Sequence, residues 1–255
     1  MYSYIYDIFT SKKKYEKQLL KIEGMLTDLG IIGKTYKLNV LKNLRDIIDE
    51  TLSCEVKNII AVGNDQTVSK LANLIVNKNV VLGIIPVGEP NVLAKALGIQ
   101  SAKEACQIIS ARNIIQLDIG KANGHYFLLS IESNNKNTIF DFKDYNINPL
   151  ASNEAMGIFN INIDNQNFKS DPCDGIMEAV FKPKQTTWLN KILKFNKQQL
   201  SCRLSVFPVK KLLIKHKKKP IAISVDRQQL LKTPLKIEVL PKKLKVIAGK
   251  QRIFS

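Results

Sequence analysis

Two strand–turn–helix segments, near residues 60 and 90, constrain the fold of this chain more than any other feature. In the first, Asn58–Val62 has the pattern of a buried strand, and a polar turn leads from it directly into a helical pattern at Thr67. In the second, Val80–Pro86 precedes the turn Gly88–Asn91, and another helical pattern follows. Strands that alternate with helices predict a parallel sheet with helices on both faces, whose ligands bind at the carboxyl ends of the strands.

Both polar turns fall at that edge of the predicted sheet, and both open into a helix. The first turns of a helix offer unpaired N–H groups and the positive end of the helix dipole, so they favour an anion. The pattern therefore predicts a phosphorylated ligand.

The pattern of predicted secondary structure changes near residue 114. Before it, the pattern predicts strands at 3–9, 35–38, 58–62 and 80–86, and helices at 12–29, 40–52, 67–77, 91–97 and 101–110. After it, short apolar runs, such as the strands predicted at 126–131, 235–239 and 244–247, alternate with Asn-, Gly- and Lys-containing turns, which is typical of an antiparallel sandwich or barrel. We expect a Rossmann-like α/β domain over residues 1–117 and an antiparallel β-sandwich over 118–255, with the last residues returning to the first domain as an alternative.

The net charge of +17 is placed unevenly, because 24 of the 39 basic residues lie in 118–255. The segment 182–219 contains 12 Lys and Arg residues and no acidic one. Within it, Thr186–Leu200 can form an amphipathic helix that would bind an anionic membrane surface. Its membrane-facing residues would be Trp188, Lys191, Ile192, Lys194 and Phe195. The alternatives are a solvated lysine-rich surface and a helix that packs on the β domain. We expect no nucleic-acid partner, because no aromatic-and-glycine recognition motif is present.

The cysteines and the N-terminal segment bear on the cellular compartment. The four cysteines lie far apart with no CxxC pair, which argues against a zinc site or a disulfide framework and favours a reducing cytoplasm. The first twenty residues lack the apolar core of a signal peptide, and no run approaches the roughly 18 apolar residues of a membrane span. We expect a cytoplasmic protein that is peripheral to the inner face of the membrane.

Several segments together resemble one family. Val62–Thr67 (VGNDQT) resembles the Gly-Gly-Asp-Gly-Thr motif of the diacylglycerol kinase catalytic domain family, which includes bacterial lipid kinases and sphingosine kinases, with NAD kinases as distant relatives. Gly83–Gly98 is similar to its second turn, Gly-Ile-Ile-Pro-x-Gly-Thr-x-Asn-x-x-Ala-x-x-Leu-Gly. Further similar segments follow in the family's order, at Asp118–Phe127, Asp171–Met177, Val225–Gln228 and Pro241–Val246. The resemblance spans nearly the whole chain.

This resemblance implies that ATP binds between the domains and that its γ-phosphoryl group is transferred to a diacylglycerol-like lipid hydroxyl. Asp65 would face the metal and the phosphates, and Asn91 would cap its helix; the structural alternative for Asp65 is an N-cap of helix 67–77. The residues implied for ATP are Gly63, Asn64, Asp65, Gln66, Thr67, Val68 and Ser69 in the first turn and Gly88, Glu89 and Asn91 in the second. A magnesium site is implied at Asp171, Asp174 and the Ile176 carbonyl, with a plain surface turn as the alternative.

The chain also departs from the family pattern. Asn64 and Gln66 replace glycines, and Glu89 replaces a small hydroxyl residue and brings a negative charge toward a polyphosphate. Gln228 stands where the family's general base is a glutamate, and a neutral amide cannot take the substrate proton. Asp226 is two positions earlier and would share a strand face with Gln228, so it could orient a substrate or act as the base.

Three functions stay open on the sequence. The first is an ATP- and Mg²⁺-dependent lipid kinase at the membrane surface, with Asp65 and Asp226 as catalytic residues. The second is a catalytically inactive relative that binds membrane or lipid as a regulator. The third is a soluble phosphotransferase similar to NAD kinases. A homodimer is compatible with each of them.

Overall fold

The computed structural model describes residues 1–39, 43–135, 137–148, 155–163, 168–182 and 204–254. The chain divides into two compact units. The first contains Met1–Ile119, Pro172–Asp174 and Leu240–Ser255, and the second contains Gly120–Asp171 and Gly175–Val239. None of the described helices is both long and apolar enough to cross a membrane.

The first unit is built on a parallel sheet in the strand order β2-β1-β3-β4. Its strands are β1 (Tyr2–Tyr6), β2 (Lys34–Lys37), β3 (Asn58–Gly63) and β4 (Val81–Pro86), and Lys245 and Val246 of β16 (Leu235–Ile247) pair in parallel with β4. Its helices are α1 (Glu16–Asp28), α2 (Leu44–Ser53), α3 (Asp65–Ile75), α4 (Val92–Ala96) and α5 (Ala102–Ala111). Every residue of β3 and β4 is buried, as expected for central strands covered on both faces.

The register of this sheet brings three strand ends to one edge. Tyr6 pairs with Val62, and Gly63 pairs with Pro86. Two backbone bonds continue the pairing beyond the strands, from Asp7 N to Val62 O at 3.0 Å and from Val87 N to Gly63 O at 3.0 Å. The turns after β1, β3 and β4 are therefore neighbours.

The second unit is a sandwich of two sheets. One sheet has six antiparallel strands in the order β12-β11-β10-β7-β14-β15. In the other, β13 pairs with β8 and with the first residues of β16, and β8 pairs with β9. Side chains from both sheets, such as Ile131 and Ile223 from one and Phe140 and Ile214 from the other, form a shared core. The predicted fold class, a parallel α/β unit with an antiparallel β-sandwich, is confirmed.

The remaining strand bounds complete this description. They are β5 (Ile114–Ala122), β6 (His125–Phe127), β7 (Ser130–Ser133), β8 (Thr138–Asp141), β9 (Asn146–Ile147), β10 (Ala155–Phe159), β11 (Met177–Lys182), β12 (Ser205–Val209), β13 (Lys211–His216), β14 (Ala222–Val225) and β15 (Gln229–Lys232).

Three predicted elements have different bounds in the structure. The helix predicted at 12–29 begins only at Glu16, because two short 3₁₀ turns at Ile8–Ser11 and Lys13–Tyr15 precede it. The strand predicted at 126–131 is split into β6 and β7, because backbone groups between them bond a side chain instead of a neighbouring strand. The strands predicted at 235–239 and 244–247 form the single strand β16.

Candidate functional site

The first turn is organised by Asn64, which caps α3. Asn64 Oδ1 accepts hydrogen bonds from the backbone N–H groups of Gln66 at 3.1 Å and Thr67 at 3.3 Å. The structural interpretation of Asp65 as the cap of this helix is therefore wrong by one residue. Of the other residues predicted at this turn, Gln66 is exposed, while Val68 and Ser69 are buried within α3.

Gly63 and Thr67 are packed against each other at the bottom of this turn. A Cβ at Gly63 would lie 2.3 Å from Thr67 Oγ1, so only glycine fits there. The Thr67 hydroxyl donates to Asp7 Oδ2 at 2.7 Å, and both residues are buried. We did not predict Asp7 as a site residue from the sequence. Its position directly after β1, at the same sheet edge as the two turns, could have indicated it.

Asp65 does not stay in its own turn but reaches the second one. Its carboxylate accepts the N–H of Val92 at 2.8 Å on one oxygen and the N–H of Leu93 at 2.9 Å on the other. Only 2% of Asp65 is exposed, and this burial raises the pKa of its carboxyl group, against the lowering effect of the two backbone donors. The nearby charge of Glu89 raises this pKa further, while Lys95 lowers it.

Asn91 occupies the cap position of α4, but its side chain makes no capping bond, so the prediction that Asn91 caps this helix is wrong. Asp65 supplies the cap instead, and Asn91 Nδ2 donates to the carbonyl of Gly88 within the turn. Gly88 has a φ of 77°, a conformation that favours glycine.

Two hydrogen bonds tie the first turn to the second. Asn64 Nδ2 donates to Glu89 O at 3.1 Å, and Asp65 N donates to Pro90 O at 2.9 Å. The helix-start N–H groups that we expected to be open for a phosphate are therefore bonded inside the protein, at Gln66 and Thr67 by Asn64 and at the start of α4 by Asp65. The expectation of an anion site made from free N–H groups in these turns is wrong for those four donors.

A cavity of 590 Å³ lies beside the second turn, and all the residues that line it belong to the first unit. Its charged lining residues are Lys14, Lys95 and Glu89, and the ring of Tyr15 forms part of the wall. The Lys14 ammonium group lies 4.7 Å from the centre of that ring. Ligand cavities have volumes of about 300–1,000 Å³, so this one is large enough for a small molecule with anionic groups.

Asp226 and Gln228 lie in the hairpin turn between β14 and β15, so the prediction that they share a strand face is wrong. Asp226 and Arg227 have φ angles of 49° and 58°, and Gln228 N donates to Val225 O at 3.1 Å, which is the geometry of a type I′ hairpin turn. Gln228 Oε1 is buried and has no hydrogen-bond partner among the described residues.

The Asp226 carboxylate is an acceptor for the backbone between β6 and β7. It takes the N–H groups of Leu128 at 3.0 Å, Leu129 at 2.7 Å and Ser130 at 3.2 Å, and only 3% of the residue is exposed. Three donors use most of the lone-pair sites of this carboxylate. This arrangement suits an anchor of the loop better than a base that must reach a substrate.

The residues predicted to bind magnesium lie in the turn before β11. Asp171 is half-buried, Asp174 is exposed and Ile176 is half-buried. Among the described residues, no group of three or more His, Cys, Asp or Glu side chains is arranged to hold a metal ion. The predicted membrane-binding residues Trp188, Lys191, Ile192, Lys194 and Phe195 lie outside the described residues.

Comparison with known proteins agrees with this fold. The diacylglycerol kinase of Bacillus subtilis (strain 168) is 27% identical over 128 residues, which is 49% of this chain and 42% of that protein. A Klebsiella pneumoniae (strain 342) protein named "Probable lipid kinase YegS-like" is 30% identical over 122 residues, 46% of this chain and 40% of that protein. The matched stretch thus spans less than half the length of either relative.

A crystal structure of a diacylglycerol kinase from Bacillus anthracis str. Sterne has the same fold, with a TM-score of 0.75 and 20% sequence identity. The match covers 99% of this chain and 98% of the Bacillus anthracis chain. Residues 3–122, which include β1 to β4 and both turns, match the model of the diacylglycerol kinase catalytic domain. The similarity to the diacylglycerol kinase catalytic domain thus extends over residues 3–122, just under half of the chain.

Proposed function

We propose that this protein is an ATP-dependent lipid kinase that transfers the γ-phosphate of ATP to the hydroxyl of a diacylglycerol-like lipid at a membrane surface. The observation that carries the proposal is the match to the diacylglycerol kinase catalytic domain over residues 3–122, which contain both turns and all the residues that line the 590 Å³ cavity beside the second one. The names of the relatives, a diacylglycerol kinase and a lipid kinase, support the choice of a lipid as acceptor.

The residues of the cavity fit a nucleotide. Lys14 and Lys95 are exposed and supply two positive charges for its phosphates, while the Tyr15 ring offers an apolar surface. The N–H groups at the starts of α3 and α4 are bonded by Asn64 and Asp65. We therefore assign the phosphates to lysine side chains in this cavity instead of to those N–H groups.

Magnesium would lower the charge of the phosphates and screen the developing charge during transfer. Asp171 and Asp174 remain the candidate carboxylates, together with the carbonyl of Ile176. Asp174 is exposed and Asp171 only half-buried. Since Mg²⁺ is usually held by one or two carboxylates together with substrate phosphates and water, these two aspartates would hold it only as part of such a shared ligand set.

A second candidate function is a catalytically inactive relative that binds membrane or lipid as a regulator. It is favoured by the engagement of Asp226 with three backbone donors and by the neutral amide of Gln228, since neither group is suited to take the proton of a lipid hydroxyl.

Calorimetric titration of ATP, with and without Mg²⁺, followed by a phosphorylation assay with labelled ATP, separates these functions. The acceptors are vesicles that contain diacylglycerol or other lipid alcohols, with NAD as the acceptor that tests an NAD-kinase-like activity. Micromolar binding and labelled lipid support the kinase. Absence of labelled lipid supports the second candidate, and absence of ATP binding by a folded protein contradicts the kinase.

Two lysine variants test whether this cavity is the ATP-binding site. We expect Lys95→Ala to weaken ATP binding about tenfold, because it removes a charge-assisted bond to phosphate. Lys78→Ala is the matched control, because Lys78 is exposed in the same unit and does not line the cavity. Equal effects of the two substitutions would place the nucleotide elsewhere.

Membrane attachment is the remaining part of the proposal. Lysines of the second unit, including Lys210, Lys211 and Lys217–Lys219, are exposed in the basic segment 182–219. Each lysine near an anionic surface contributes about 1 kcal/mol, so several suffice for reversible binding. Co-sedimentation with anionic vesicles, but not with neutral ones, is the expected result, and equal sedimentation with both would contradict it.

A further inference from the structure

Glu89 is the acidic residue among the described residues that line the cavity. It is exposed and lies in the second turn, and the other charged residues that line the cavity are Lys14, which precedes α1, and Lys95 in α4. A carboxylate in a site for polyphosphate is unfavourable unless it meets a different part of the ligand, because like charges repel. We therefore expect that the ligand group beside Glu89 is not a phosphate.

The backbone that carries Glu89 is held on both sides. Its own carbonyl accepts Asn64 Nδ2 at 3.1 Å, and the carbonyl of Pro90 accepts Asp65 N at 2.9 Å. Asn91 Nδ2 bonds the carbonyl of Gly88 within the same turn. The Glu89 side chain thus starts from a fixed point at the cavity wall, which reduces the entropy lost when it binds a ligand.

The other carboxylates of this region are already used within the protein. Asp65 bonds two backbone N–H groups, and Asp7 bonds the Thr67 hydroxyl at 2.7 Å. Glu104, near the cavity at the start of α5, accepts the N–H of Gln100 at 2.9 Å. Glu89 is therefore the carboxylate best placed to accept hydrogen bonds from a ligand.

We infer that Glu89 accepts the ribose hydroxyl hydrogens of a nucleotide whose phosphates lie against Lys14 and Lys95. A carboxylate has two acceptor oxygens, which suit the two adjacent hydroxyls of a ribose, and acidic residues bind ribose in this way in dinucleotide-binding folds. The inference rests on the proposed nucleotide site and specifies which end of the nucleotide lies at the second turn. It also gives a reason for a glutamate in a turn that faces a polyanion.

The test compares ATP with 2′,3′-dideoxy-ATP by calorimetry, in the wild-type protein and in Glu89→Ala. The ratio of the two dissociation constants cancels any general effect of the Glu89 charge on the phosphates. We expect the wild type to bind ATP about tenfold more tightly than the dideoxy analogue, because hydrogen bonds to a charged acceptor are lost with the hydroxyls. In Glu89→Ala this ratio should fall close to one.

Glu55→Ala is the matched control, because Glu55 is an exposed acid of the same unit that does not line the cavity, and it should keep the wild-type ratio. A ratio that is the same in the wild type and in Glu89→Ala would overturn the inference and leave the nucleotide site intact. Tighter binding of both nucleotides by Glu89→Ala, with no change in their ratio, would mean that Glu89 only repels phosphate. If the wild type bound neither nucleotide, the proposed site and this inference would both fail.

Discussion

Replacing Asp226 by asparagine tests whether this residue is an anchor or a catalytic base. The carboxylate accepts three backbone N–H groups from the loop between β6 and β7, at distances from 2.7 to 3.2 Å. Asparagine has nearly the same shape, tolerates the left-handed conformation at this position and keeps one acceptor oxygen. The substitution therefore removes the charge and replaces Oδ2, which accepts only the N–H of Leu128, by a donor, while Oδ1 can still accept from Leu128, Leu129 and Ser130.

The expected loss follows from the bonds involved. A hydrogen bond to a charged acceptor contributes about 1.5–3 kcal/mol and one to a neutral acceptor about 0.5–1.5 kcal/mol, so each of the three bonds weakens by about 1 kcal/mol. Removal of a buried charge offsets part of this loss. We expect Asp226→Asn to lower the free energy of unfolding by about 2 kcal/mol. Asp226→Ala should lower it by about 4 kcal/mol, because it leaves buried donors unpaired and strains the backbone.

The measurement is urea unfolding together with amide hydrogen exchange of residues 128–130, which reports on the loop itself. Exchange at Leu129 should accelerate most, since its bond of 2.7 Å is the shortest. The control is Asp141→Asn on β8, which removes an exposed ion pair with Lys215 in the same unit and should change exchange at Leu129 little. If Asp226→Asn kept wild-type stability and exchange but abolished lipid phosphorylation, Asp226 would be the base and the anchor argument would be refuted.

Three further predictions concern the first turn. Gly63→Ala should destabilise the protein by about 1–3 kcal/mol in thermal unfolding, because its Cβ would meet Thr67 Oγ1 at 2.3 Å, and a Tm equal to that of the wild type would contradict this packing. Asn64→Ala should lower the free energy of unfolding by about 1 kcal/mol through loss of the α3 cap, and Asn64→Asp, which keeps the acceptor, should lose less. Because the folded-state pKa of Asp65 is raised by burial, its contribution to stability is greatest at acid pH and declines as the pH rises through that value. The stability of the wild type relative to Asp65→Asn should therefore increase as the pH falls toward the acid range, and a constant difference would show that burial does not perturb this carboxyl group.

The fold could be predicted from the sequence because burial determines the pattern of apolar residues along it. Strands β3 and β4 are continuous apolar runs, and only a sheet covered on both faces places such runs out of water. The short apolar runs after residue 114, separated by polar turns, predicted the sandwich, in which each sheet buries one face in a shared core. The place of the two turns at one sheet edge followed from the parallel order of their strands.

The hydrogen-bond partners of the polar side chains could not be predicted from the pattern of apolar residues. Asp65 and the start of α4 are 27 residues apart in the chain, and Asp226 and Leu128 are 98 apart. An acid in a turn has the same local pattern whether it faces a metal, caps its own helix or caps a distant one. From the sequence we therefore predicted that Asp65 and Asp226 are catalytic residues, whereas the structure shows both carboxylates bonded to backbone N–H groups.

The sequence by itself determined the alternation of strands and helices, the two turns and the similarity to the diacylglycerol kinase catalytic domain, because each depends on the order and spacing of residue types. Tertiary structure alone decided which donors those turns leave open to a ligand. Asn64 and Asp65 take the N–H groups at the helix starts, while Lys14, Lys95 and Glu89 line the cavity. The physical reason is that hydrogen bonds are short and directional, so a side chain's partner is set by the position of distant backbone that only the folded chain brings within 3 Å.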